Sequence, residues 1–180
     1  MLAGGTSRGA ITFTGIEPLV SVDGNTTMIS GSSQADNFFI DYSFDATTSE
    51  SLTLASVGNN FYDAANNVFM PSLPLPVSEN LHVSLGSGYD SLDLTFFDTS
   101  VNSKSSRVVY DGGLGVDRLK GFNQETIWNV TNVDAGNLSS SSELGQPSVL
   151  FENVESLQGG EENDTFRIYG EADITSEIIG

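Results

Sequence analysis

A glycine-rich turn near the middle of the chain places carboxylates where they could bind a cation. The segment "VVYDGGLGVDRLKGF", residues 108–122, holds three closely spaced glycines together with Asp111 and Asp117, between two apolar runs. Carboxylate oxygens are ligands that hard divalent cations prefer in proteins, but such an ion takes six or more oxygens. A single such turn would therefore be a poor site, and two stacked turns would be a better one.

Three further segments repeat this turn with an aspartate at the same place. They are "GSSQAD" ending at Asp36, "LGSGYD" ending at Asp90 and "GGEEND" ending at Asp164. Along the chain the four aspartates are 54, 27 and 47 residues apart, close to two, one and two units of roughly 25 residues. A unit of that length is suitable for one coil of a solenoid, and stacked coils would bring the turns into register.

The elements that must position these turns are predicted to be short strands. Apolar and polar residues alternate in blocks such as "NFFIDYSF", "LHVSL", "SLDLTFF" and "TIWNVTNV", and no window shows a convincing helical spacing. We expect one all-β domain over residues 1–180, folded as a parallel β-solenoid and forming a segment of a longer repetitive protein. An antiparallel β-sandwich is the alternative, since it also explains short alternating strands. The side chains expected to face the core are Phe38, Ile40, Leu92, Leu94, Val109, Leu119, Phe166 and Ile168.

Composition restricts the classes of partner. The chain has 6 Lys and Arg against 24 Asp and Glu, a formal net charge of -18, which would repel nucleic acid and anionic membrane surfaces. It contains no cysteine, which excludes disulfides, thiolate metal sites and cysteine nucleophiles. No apolar run approaches the ~20 residues of a membrane helix, and residues 1–20 do not resemble a signal peptide. The missing signal fits a cytoplasmic protein and, equally well, a segment of a longer secreted chain.

The segment "GGLGVDRLKG" resembles the hemolysin-type (RTX-like) calcium-binding repeats, whose nonapeptide G-G-x-G-x-D-x-U-x it fills at every specified place. "LGSGYDSLD" replaces the first glycine with leucine, and "GGEENDTFR" replaces the third with glutamate. The phrases "FTGIEPL", "TIWNVTNVDAGNL" and "FENVESLQGGEENDTF" are similar to repeat modules of very large extracellular surface proteins of planctomycete type.

This resemblance implies an extracellular or cell-surface β-solenoid module with a stalk, matrix, adhesin or filament role, and Ca²⁺ as its cofactor. The competing interpretation is that the glycines only supply positive φ at a corner, while the aspartate accepts backbone hydrogen bonds. Both interpretations stay open at this point. The candidate calcium ligands and turn glycines are Asp90, Asp111, Asp117, Asp164, Gly86, Gly88, Gly113 and Gly115.

Catalysis is not expected from these residues. His82 is the only histidine, and it alternates with Leu81 and Val83 as an exposed strand residue would. Among 24 carboxylates, close acid pairs arise by chance. Trp128 is expected to pack in the core, and the alternative is that it forms a sugar-stacking platform with other aromatic side chains on the surface. We therefore predict a non-enzymatic protein that associates with itself or with neighbouring solenoid modules. The alternatives are a carbohydrate-binding or adhesive domain with an extracellular glycan as partner, and a polysaccharide-processing enzyme.

Overall fold

The computed structural model describes residues 19–45, 49–56, 61–63, 68–70, 72–75, 80–97, 107–140 and 149–180, and over these residues the protein is all-β without a helix. The prediction of an all-β fold is therefore confirmed. The predicted domain span of 1–180 also includes residues outside the described ranges, and most of "FTGIEPL" lies outside them. The strands are β1 (Leu19–Asp23), β2 (Thr26–Ser30), β3 (Asn37–Asp45), β4 (Ser49–Ser56), β5 (Phe61–Asp63), β6 (Val68–Met70), β7 (Ser72–Leu75), β8 (Asn80–Ser84), β9 (Ser87–Gly88), β10 (Ser91–Asp93), β11 (Arg107–Asp111), β12 (Leu114–Gly115), β13 (Arg118–Lys120), β14 (Thr126–Asn132), β15 (Ala135–Ser140), β16 (Val149–Glu152), β17 (Ser156–Gln158), β18 (Asp164–Ile168) and β19 (Glu177–Ile179).

Two large mixed sheets contain most of these strands. The first sheet has eight strands in the order β1-β2-β8-β11-β16-β15-β14-β18, and the second has seven in the order β19-β17-β13-β10-β3-β4-β7. Two small sheets pair β9 with β12 and β5 with β6.

Each large sheet contains a run of parallel strands in unbroken register. In the first sheet Leu81 of β8 lies between Thr27 of β2 and Val108 of β11, and Val108 lies beside Val149 of β16. In the second sheet β3, β10, β13, β17 and β19 pair in parallel, and their central apolar residues are neighbours. Within the described residues the chain passes from the first run to the second four times, through β2 to β3, β8 to β10, β11 to β13 and β16 to β17. We call each such passage a rung.

Antiparallel hairpins interrupt this pattern. Strand β1 pairs antiparallel with β2, and β4 pairs antiparallel with both β3 and β7. The hairpin of β14 and β15 comes between β13 and β16 in the chain, and β15 pairs antiparallel with β16. Strand β18 then pairs in parallel with β14. The described sheets are therefore mixed rather than purely parallel.

The core lies between the inward faces of the two parallel runs. Five of the predicted core residues are buried, namely Phe38, Ile40, Leu92, Leu94 and Leu119. The prediction for Val109 is wrong, because β11 alternates in the opposite phase and buries Val108 and Tyr110. Phe166 is partly buried, and the prediction for Ile168 is also wrong, since it is 52% exposed on β18 at the end of its sheet.

Trp128 is fully buried, as predicted. Its ring stacks on Phe166 with a centroid separation of 5.3 Å, and Phe151 meets it edge-on at 6.2 Å. The indole N–H donates a hydrogen bond of 3.2 Å to Asp164. An aromatic ring used in this way contributes to packing and is not available as a surface platform.

Candidate functional site

Three glycine-aspartate corners stack directly on one another where the chain passes from the first sheet to the second. They span residues 31–36, 85–90 and 112–117. Each has six residues, and the strands on both sides are in register, so equivalent corner residues become neighbours. Backbone hydrogen bonds join the corners: Ser87 donates to the carbonyl of Ser32 at 3.2 Å, and Leu114 donates to that of Gly86 at 2.9 Å.

Glycine is required in these corners by the closeness of the stacked backbones. Gly113 has φ +96° and Gly115 has φ +151°, conformations that are costly for residues with a side chain. A Cβ atom on Gly113 would overlap the carbonyl oxygen of Gly86, and one on Gly115 would overlap that of Gly88. The second and fourth positions of the motif thus serve the approach of one rung to the next.

The first glycine of the motif leaves space both for the next rung and for the aspartate five residues later. A Cβ atom on Gly31 would lie 2.6 Å from the carbonyl oxygen of Leu85, and one on Gly112 would overlap that of Asn153. A Cβ atom on Gly31 would lie 2.7 Å from Oδ2 of Asp36, and one on Gly112 would lie 2.9 Å from Oδ2 of Asp117. At these two positions the missing side chain leaves room for the carboxylate to fold back against the corner. In the middle corner Leu85 occupies this position and is fully buried.

The corner carboxylates accept hydrogen bonds from the backbone of the preceding rung. We call the four residues involved, Asp36, Asp90, Asp117 and Glu155, the acidic ladder. At the first corner the N–H of Ser32 donates to Asp36 within the same rung at 2.6 Å. The steps between rungs are the N–H of Asp36 to Oδ1 of Asp90 at 2.7 Å, that of Asp90 to Oδ1 of Asp117 at 2.8 Å and that of Asp117 to Oε2 of Glu155 at 2.8 Å.

The ladder raises the proton affinity of its middle members. Burial raises the pKa of Asp90 from its ordinary value of 3.8 to about 6; the hydrogen bond from Asp36 opposes this shift, and the charges of Asp117 and Asp36 add to it. Burial likewise raises the pKa of Asp117, against the hydrogen bond from Asp90, and the carboxylates of Glu155 and Asp111 raise it further. Keeping the carboxylates of Asp90 and Asp117 ionised in the folded protein therefore costs free energy.

Three oxygens near the ladder are buried and make no hydrogen bond. They are Oδ2 of Asp90, Oδ2 of Asp117 and the hydroxyl oxygen of Tyr110. Burial raises the pKa of Tyr110 well above its usual range, and the charges of Asp117 and Asp90 contribute to that shift. The inward side of the corners thus contains carboxylate oxygens without a hydrogen-bond partner, next to the buried phenol of Tyr110.

As placed, these groups do not fit a calcium ion. Asp90 and Asp117 each already use one carboxylate oxygen for a backbone N–H, which leaves one oxygen each for a metal that takes six to eight. Within the described residues no group of three or more His, Asp or Glu side chains is arranged to hold a metal ion. The arrangement corresponds instead to aspartates that accept backbone hydrogen bonds.

The remaining predicted ligands lie outside the ladder. Asp111 accepts a hydrogen bond of 2.8 Å from the side-chain amide of Asn153 at the surface. Asp164 begins β18, where its neighbour in register is Thr126, and it accepts hydrogen bonds from Gly160 at 2.9 Å and from Trp128. The fourth copy of the motif therefore belongs to a different corner, where the chain passes from the second sheet to the first.

Sequence comparison of the glycine turns missed Glu155, which takes the fourth place in the ladder. The corner that ends at Glu155 consists of residues 153–155 and is three residues shorter than each glycine-aspartate corner. Its residue with positive φ (+54°) is Asn153 instead of a glycine. The order apolar, acidic, variable, apolar is nevertheless the same in residues 154–157 as in residues 116–119. An alignment on that order would have found Glu155.

No protein-family model, no curated protein and no solved structure matches this chain. In the ranges that the structure describes, no helix has the length and apolar character needed to cross a membrane.

The raised pKa of Asp90 predicts a specific dependence of stability on pH. Because its folded-state pKa of about 6 exceeds the ordinary 3.8, its contribution to stability is complete below about pH 4 and is lost as the pH rises through about 6. We expect the free energy of unfolding to fall less steeply over this window in Asp90→Asn, whose amide oxygen can still accept the N–H of Asp36 but carries no charge. Urea unfolding at intervals from about pH 4 to 7 measures the difference.

The control is Asp41→Asn, which removes one carboxylate from an exposed position on β3. It changes net charge by the same amount but should keep the wild-type slope. Parallel curves for wild type and Asp90→Asn would contradict the assignment of a buried charge to Asp90.

Proposed function

We propose that this chain is a non-enzymatic structural module, a parallel β-solenoid segment of an extracellular repeat protein with a stalk, matrix, adhesin or filament role. The observation that carries the proposal is the acidic ladder, in which equivalent acidic residues of four successive rungs are linked by hydrogen bonds in one direction. The extracellular location rests on the resemblance to RTX-like repeats.

The strand pairing favours a solenoid over a sandwich. A sandwich is built from antiparallel sheets, whereas here the chain enters the same two parallel runs again at every rung. The ladder steps span 54, 27 and 38 residues, so additional chain is accommodated between rungs without disturbing the stack. Tolerance of insertions between stacked units is typical of solenoids.

The use of the polar groups supports a structural role. The carboxylates of Asp36, Asp90 and Asp117 are buried and bind backbone N–H groups, so the most distinctive residues of the repeat act in stacking. A catalytic carboxylate would instead have to reach a substrate.

The edges of the described sheets support association with further rungs. Strands β18 and β19 stand at the ends of the first and second sheet, and side chains there are apolar and exposed: Ile168 by 52%, Tyr169 by 50%, and Ile178 and Ile179 by 38% each. An edge strand offers unpaired N–H and C=O groups to another strand. We infer that this end pairs with a neighbouring module or a second copy.

Self-association tests the proposal. We expect sedimentation velocity to show a distribution of sizes that grows with protein concentration, and Ile178→Lys to reduce it by placing a charge on the apolar edge strand. The matched control is Val133→Lys, which adds the same charge at the exposed tip between β14 and β15. A single monomeric species at every concentration would contradict the assembly role.

Calcium binding stays a prediction of the resemblance, and it can be tested separately from stacking. If the ladder carboxylates serve backbone donors, millimolar Ca²⁺ and Mg²⁺ should raise the melting temperature equally above its value in EGTA, by screening the charge of -18. A rise specific to Ca²⁺ that disappears in Asp90→Asn/Asp117→Asn would contradict this expectation and establish a calcium site.

A further inference from the structure

A groove of about 280 Å³ lies on the outer side of the corners, where the second sheet begins. Four of its five floor residues directly follow the ladder acids, and the fifth, Glu177, belongs to β19. These residues are neighbours in register from β3 through β10, β13 and β17 to β19, and all of them line the groove. They are Asn37, Ser91, Arg118, Ser156 and Glu177.

The floor is a continuous line of polar side chains. Neighbouring strands are spaced by roughly 4.8 Å, so a donor or acceptor recurs at that interval along the groove. A ligand that contacts several rungs at once must itself be extended and must offer polar groups along its length. The line therefore suits a linear polymer better than a compact small molecule.

An exposed aromatic ring forms one wall. Tyr89 is 73% exposed and Val116 is 42% exposed, and both line the groove. They point outward because the next residues, Asp90 and Asp117, turn into the corner and are buried. The ring of Tyr89 thus has an open apolar face, with a phenolic hydroxyl available for a hydrogen bond.

An ion pair is held across the polar floor. Nη2 of Arg118 lies 2.9 Å from Oε1 of Glu177, and the hydroxyl of Ser156 donates to the same oxygen at 3.3 Å. The side chains of Arg118 and Glu177 are 44% and 48% exposed, so both also face solvent. The guanidinium of Arg118 can donate hydrogen bonds to the hydroxyl groups of a ligand, and the carboxylate of Glu177 can accept hydrogen bonds from them.

The charges in and around the groove select against anionic ligands. The positive charge of Arg118 is balanced locally by Glu177, while the protein as a whole carries -18. An anionic polymer is repelled by the overall charge. A neutral polymer rich in hydroxyl groups avoids this repulsion and can bond to both members of the ion pair.

We propose that this groove binds a neutral, linear oligosaccharide, with a pyranose ring stacked on Tyr89 and its hydroxyl groups bonded to Arg118, Glu177 and the floor side chains. The inference depends only on the placement of these side chains and stands apart from the structural role proposed above. Among the ladder acids only Asp90 also borders the groove, and the proposed sugar-binding residues are Tyr89, Arg118, Glu177 and the floor side chains.

Calorimetric titration with three neutral hexasaccharides tests this site: cellohexaose, xylohexaose and N-acetylchitohexaose, all in EGTA. We expect at least one to bind with a Kd at or below about 1 mM. Tyr89→Ala and Arg118→Ala should each weaken that binding about tenfold, whereas Tyr89→Phe should retain it because the ring face remains.

Leu114→Ala provides the matched control. Leu114 is 76% exposed on the neighbouring corner but does not line the groove, so its replacement should leave binding unchanged. Circular dichroism of each variant shows that the fold is intact. Failure of all three sugars to bind, unchanged binding in Tyr89→Ala, or stronger binding of anionic polygalacturonate would overturn the proposal.

Discussion

The hydrogen bond from the N–H of one corner acid to the carboxylate of the next sets the register on which the described structure depends. A backbone N–H at a corner has no strand partner by default and must be satisfied. The ladder from Asp36 to Glu155 satisfies it at each step with a charged acceptor. A shift of one residue would move the acid outward and the following apolar residue out of the core, so the ladder and the core select the same register.

The acidic ladder makes two opposing contributions to the stability of the fold. A hydrogen bond to a carboxylate is stronger than one between neutral groups, but burying the carboxylate beside others of like charge is costly. The raised pKa of Asp90 and Asp117 records that cost. Leu92 and Leu119, two places after those acids, are fully buried and bring apolar surface out of water next to each ladder step. The corner glycines make both the ladder hydrogen bonds and this apolar burial possible, because they let the backbones of neighbouring rungs approach closely.

Much of this arrangement was predictable from the sequence. The all-β class, most of the core residues and the stacking of Asp36, Asp90 and Asp117 follow from alternation and from the spacing of the glycine turns. Asp164 was misplaced because the same turn chemistry serves two different corners, and Glu155 was missed because its corner has no glycine. The hairpin of β14 and β15 also lengthens the chain between two rungs, so spacing alone could not reveal the register. The groove beside Tyr89 forms from side chains that point outward next to the buried acids. Only the pairing of the strands defines which side chains these are.

Disulfide formation between stacked corners tests the central claim most directly. Ser87 and Leu114 are neighbours in register in the small parallel sheet, and the chain has no other cysteine to compete. In Ser87→Cys/Leu114→Cys, mild oxidation should form an intramolecular bond almost completely, because neighbouring strands are roughly 4.8 Å apart, within the range that a disulfide spans. Ser33→Cys/Leu114→Cys, which places the thiols two rungs apart, should not form one. Absence of the bond in the first variant, or equal bonding in both, would contradict the stacked-corner structure.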